Sequence, residues 1–211
     1  MTDVRRWQPA ARFADAGTVL STGLLDRPAR QWGAAPHTAA ALAWKAYSWW
    51  LVNPVVLAYA AGRPLPRLDL DNVEVLLRPE RPYAQFRVLD RSPLPGRDIA
   101  RRLRETLLEG HLAPVADALV ETTRIGRRTL WGSVAEAVAY PLLQDGDEPT
   151  AQDLLAELGL TGLVAVGADG CVLRRTCCQA IAVPGLGVCA SCPVNRSAAS
   201  RLPPDLLSAA G

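Results

Sequence analysis

Residues 40–61 read AALAWKAYSWWLVNPVVLAYAA, and the fold turns on whether this run crosses a bilayer or lies inside a globular domain. About 20 apolar residues suffice for a membrane span. Lys45 and the Asn53-Pro54 pair interrupt the run, however, and a charge at mid-bilayer is costly while proline removes a helix hydrogen bond. The stretch therefore reads as a buried helix pair, or one helix kinked at Pro54, and no transmembrane segment is expected.

Working outward, the remaining pattern is mainly helical. Residues 97–144 place Leu103, Leu107, Leu108, Leu112, Val115, Leu119 and Val120 at spacings that make one apolar face. Between the helical blocks, DNVEVLLRPERPYAQFRVLD (71–90) alternates apolar and polar residues on both sides of a proline-bounded turn, the pattern of a β-hairpin. A second hairpin is expected in GLVAVGADGCVLRR (162–175), with Asp169-Gly170 at its turn. DEPTAQDLLAEL (147–158) has a polar start and a following Gly159, and reads as a short capped helix.

The fold class expected is α+β: a predominantly helical single domain with small antiparallel hairpins and a C-terminal cysteine-rich loop. Its parts are an N-terminal segment (1–34), a helical body (35–165) with a hairpin near 72–90, a hairpin and cysteine segment (166–196), and a C-terminal tail (197–211). The 211 residues suffice for one core without covalent staples, and a net charge of +2 gives no warrant for nucleic-acid binding. The amino terminus lacks the apolar core of a signal peptide, so a cytoplasmic protein with reduced thiols is expected.

All five cysteines lie between residues 171 and 192. Cys177, Cys178, Cys189 and Cys192 form the pattern C-C-x10-C-x2-C around a loop containing Pro184, Gly185 and Gly187. Four thiolates in two local pairs are the donor set of a zinc site or an iron–sulfur cluster. Neighbouring side chains on an extended strand point apart, which disfavours both reaching one zinc ion and favours a 2Fe-2S cluster, whose two irons can be reached separately. A disulfide between adjacent cysteines is strained and reducible. Cys171 stands about 20 Å of extended chain before Cys177 and is read as a packed apolar side chain.

CCQAIAVPGLGVCASCPV (177–194) resembles the C-terminal motif of the FhuF-like ferric-siderophore reductases. YSWWLVNPVVLAYAAGRPLP (47–66) and HLAPVADALVETTRIGRRTLWGSVAEAVA (111–139) are similar to two upstream segments of that family, and the likeness covers roughly residues 35–195. It implies an oxidoreductase that passes one electron through a 2Fe-2S cluster on the four cysteines to iron(III) in a siderophore, of hydroxamate type. It further implies an electron donor such as a ferredoxin or a flavin reductase, and transient association with a siderophore importer. No triad-like constellation is present, and a one-electron reduction needs none. Candidate groove residues are His111, Trp131, Arg128 and Trp49. Arg174 and Arg175, next to the ligands, are candidates for docking an acidic donor. The competing reading is a non-catalytic module that carries siderophore or a partner, stabilised by a four-cysteine site holding 2Fe-2S or zinc.

Overall fold

Pro36 sits in the first turn of its helix, where an N–H is not needed, and the alanine-rich residues behind it continue the winding to Ala60. The computed structural model describes residues 6–80, 82–96, 98–166 and 170–194. Its elements run in the order β1 (Gln8–Pro9), α1 (Asp26–Trp32), α2 (Pro36–Ala60), β2 (Val73–Leu77), β3 (Ala84–Val88), α3 (Ile99–Leu103), a π-helical segment (Arg104–Leu112), α4 (Ala113–Thr123), α5 (Arg127–Gln144), α6 (Glu148–Glu157), β4 (Val164–Val166) and β5 (Val172–Arg174). The α+β class, mostly helical with small antiparallel sheets, is the one expected.

The run at 40–61 is neither two helices nor a membrane span: α2 is one helix with Pro54 inside it. No helix among the described residues is long and apolar enough to cross a membrane. Helix α2 packs along α5, and the indole N–H of Trp44 donates to the carbonyl of Leu130 across 2.8 Å, which fixes their register. On another side of α2, Tyr47 meets Phe86 of β3 edge-on at 5.0 Å, so the sheet closes over the same core.

Strands β2 and β3 form the hairpin expected near 72–90, paired from Val73↔Val88 to Leu77↔Ala84. Its third strand, β1, was not expected, and it pairs Gln8 with Val75 and Pro9 with Glu74. A two-residue strand carries too little alternation to be seen in sequence. Strands β4 and β5 pair Val164 with Arg174 and Val166 with Val172. Asp169, half of the expected turn, lies outside the described residues, whereas Gly170 takes the left-handed φ of 74° that such a turn requires.

The stretch from Ile99 to Thr123 runs α3, π segment, α4 and stops at Arg124, which is left-handed. Widened π turns let the adjacent pairs Leu107–Leu108 and His111–Leu112 face inward together, and all four are buried. Both nitrogens of His111 are engaged in the core. Its Nδ1–H donates to the Leu68 carbonyl at 2.9 Å, which leaves Nε2 to accept from the Tyr47 hydroxyl at 2.7 Å.

Candidate metal centre

Strand β5 delivers the chain to Thr176 and the adjacent cysteines. The backbone N–H of Arg174 donates to Ser191 O at 2.9 Å and that of Arg175 to Leu163 O at 2.9 Å, so the end of this strand is held on both sides. Gly132 of α5 makes the close approach possible. A Cβ there would lie 1.9 Å from Thr176 Oγ1; glycine alone lets the cysteine segment lie on the helix.

Beyond Cys178 the chain reverses at Gln179, whose φ of 61° is left-handed, and again at Gly185 and Gly187. The turn at Gln179 directs its own N–H onto Cys177 Sγ at 3.2 Å. Its side-chain Oε1 accepts from Thr38 at 3.0 Å, tying the loop to α2. The return leg ends in a tight turn in which Cys192 N–H donates to Cys189 O at 3.0 Å. Cys178 and Cys189 face each other with sulfurs 3.8 Å apart. Cys178 and Cys192 are buried, and Cys177 and Cys189 are half-buried.

Beneath the loop lies a group of ionic side chains of which only Arg174 was a candidate site residue in the sequence. Glu136, buried on α5, pairs with Lys45 of α2 at 3.0 Å and with Arg174 at 3.4 Å, and accepts from the Ser191 hydroxyl. Ser191 Oγ is itself 3.8 Å from Cys189 Sγ. The signal was available: Glu136 is the one acidic residue of SVAEAVAY (133–140), and Lys45 is the chain's single lysine, inside an apolar helix. A charge in such a place needs a partner.

The thiols respond to these surroundings. Cys178 is pushed down to about 5, first by the hydrogen bond from Cys189, then by the Ala180 N–H and the charges of Lys45 and Arg174, against the opposing effect of burial. Cys189 is pushed up because it holds the shared proton and is desolvated. The sulfur–sulfur contact thus favours the thiolate form of Cys178. Soft thiolate donors, neighbouring cations to compensate their charge, and a backbone N–H aimed at sulfur are what a four-cysteine metal group requires, so the residues fit in kind and number. Among the described residues, no group of three or more His, Cys, Asp or Glu side chains is gathered as a ligand cage, and the sulfur contact shown is that of the pair.

The candidate substrate residues separate. Arg128 and Trp131 share the wall of a cavity of about 650 Å³. Trp49 lies elsewhere, half-buried, with its ring 5.3 Å from that of Tyr140. His111 is fully buried, and its expected place on a groove is corrected: the π segment turns it inward, between Tyr47 and Leu68. The expected surface role of Arg174 is corrected likewise. All three residues of β5 are buried, and the Arg174 guanidinium donates to Glu136, Thr176 and the Thr129 carbonyl. Arg175 is half-buried.

A family model described as "Ferric iron reductase FhuF-like transporter" matches residues 44–176, well over half of the chain, and ends one position before Cys177. No curated protein matches.

Proposed function

The chain belongs to the FhuF-like ferric iron reductase family, and on that premise we propose that it frees iron from ferric siderophores by one-electron reduction, with a 2Fe-2S centre held by Cys177, Cys178, Cys189 and Cys192. The family match stops short of the cysteines, so the cofactor rests on the thiols themselves. The observation that supports it best is the Cys178–Cys189 approach at 3.8 Å, which closes the loop between the two pairs. When bound, a 2Fe-2S group supplies single electrons at a low potential.

The redox balance is simple. One electron enters from a donor of ferredoxin or flavin-reductase type, and chelated iron(III) becomes iron(II) with the chelator unchanged. Oxygen donors hold iron(II) far less tightly, so the metal leaves. The chain's own residues supply position and charge. Glu136 and Ser191 anchor the Cys189–Cys192 turn to α5, Gln179 anchors the other end of the loop to α2, and Lys45 and Arg174 place positive charge beside the sulfurs. The reaction belongs in the cytoplasm, with the importer a transient neighbour.

Anaerobically reconstituted protein is expected to contain two irons and two sulfides, to bleach with dithionite, and to release iron(II) from a ferric siderophore into a ferrous-specific trap. Each of the four cysteine-to-alanine variants should lose the visible spectrum, while Cys171→Ala should keep it. One zinc and no sulfide per chain would refute the assignment.

A further inference from the structure

The cavity of about 650 Å³ lies between the π segment, the start of α5 and the turn after α6. Its size suits a metal chelate of several hundred daltons. Three arginines, Arg104, Arg127 and Arg128, and the indole of Trp131 line it, against the single carboxylate of Glu109. Two of these arginines hold exposed ion pairs, Arg104 with Glu109 at 3.2 Å and Arg127 with Asp117 at 2.5 Å. Such pairs are weak and readily exchanged. Arg128 is different: it donates to the Gly162 carbonyl at 3.1 Å, and no carboxylate of the described residues pairs with it. That bond holds the Arg128 cation on the same α5 wall as Trp131, one helical turn away.

The cavity also adjoins the thiol segment through shared residues. Leu163 lines it, and the Leu163 carbonyl accepts the N–H of Arg175, two positions before Cys177. Trp131 lines it, and the next residue, Gly132, is the one on which Thr176 rests. A ligand seated here lies against α5, on which Thr176, the residue just before the adjacent cysteines, is packed.

We infer that this cavity binds the ferric siderophore and selects chelates of net negative charge, those with catecholate or carboxylate donors, with Arg128 reading the charge. The inference rests on the reductive reading for its ligand class, but it is tested by binding alone. Gallium(III) chelates match iron(III) in size and charge and accept no electron under these conditions. Titration calorimetry with a trianionic tris-catecholate, a neutral tris-hydroxamate and a cationic hydroxamate complex of gallium is expected to rank them in that order, with the trianion weakening as salt rises. Arg128→Glu should cost the trianion about tenfold or more in affinity, as loss of a charge-assisted hydrogen bond does, and leave the neutral chelate little changed. Arg128 is exposed, so the variant should fold; its helical circular dichroism is recorded alongside.

Equal affinity for the three chelates, or an Arg128→Glu variant that binds the trianion as the parent does, overturns the inference. The two readings fail separately. If the gallium trianion binds as stated while its iron counterpart is not reduced by dithionite-loaded protein, the cavity assignment stands and the reductase reading falls. If iron is released but gallium binding ignores charge, the reverse holds.

Discussion

Glu136 carries an unusual share of the structure for one side chain. It neutralises two cations from different elements and receives the hydroxyl of the cysteine loop. Glu136→Gln keeps the shape and removes the charge, leaving Lys45 and the buried Arg174 without compensation. Removing one partner of a buried ion pair costs about 3 kcal/mol or more; Lys45 retains some water, so a loss of about 2–3 kcal/mol is expected in urea titration of the metal-free protein. Little change would show that water replaces the carboxylate. Gly132 supports a second prediction. An alanine there collides with Thr176 Oγ1, and overpacking of this kind costs about 1–3 kcal/mol. Thr176→Ala also removes the hydroxyl that accepts from Arg174, so it is destabilising by itself. The double variant should nevertheless be more stable than the sum of the two losses, because the second change removes what the first strikes. Strict additivity in the cycle would show that the helix yields elsewhere.

Among the elements, the π segment makes the clearest demand on solution conditions. His111 lies against Tyr47 of α2, the carbonyl of Leu68 and the charge of Asp69, and burial pushes it down from 6.5 to about 4. Tyr47, pushed far up by its own burial, keeps its proton. Between pH 6.5 and 4 the unfolded chain therefore binds a proton at this histidine that the folded chain does not. Stability must fall as pH falls through that window, by about 3 kcal/mol in full. His111→Gln should flatten this part of the stability profile relative to the parent; identical slopes would place the acid sensitivity elsewhere. The same segment shows where sequence reading stops. Helix α6 was legible because Asp147 accepts from Thr150 N–H at its start and Gly159 is left-handed at its end, both local signals. The β2–β3 hairpin was legible from alternation. The π widening was not: Leu107, Leu108, His111 and Leu112 suit one face of an ordinary helix nearly as well, and what turns His111 inward comes from Tyr47 and Leu68, 64 and 43 residues away. The two cysteine pairs are plain in the spacing, and the structure brings one member of each, Cys178 and Cys189, together. For the group beneath them, the lone charges Lys45 and Glu136 in apolar helices signal that each needs a partner, but that they and Arg174 meet one another is set only in three dimensions.

For the molecule as a whole, the apolar core formed by α2, α4, α5, α6 and the β2–β3 hairpin contains none of the four proposed ligands. Stripping the metal should therefore leave the helical body intact. Far-ultraviolet circular dichroism of the chelator-treated protein is expected to retain nearly all of its helical signal, with proteolytic cuts concentrated between residues 177 and 192; general collapse of helicity would show that the centre holds the fold up. A consequence for biosynthesis lies in the Gly132–Thr176 contact and its neighbour Glu136. During translation α5 leaves the ribosome some forty residues ahead of the strand that will cover it, at about 5–20 residues per second. Until that strand emerges, Glu136 lacks Arg174 and Ser191, and the surface of α5 at Gly132 is uncovered. The seat for the cysteine loop is thus made before the loop itself, and on the proposed reading a cluster would be inserted only once that late segment has arrived.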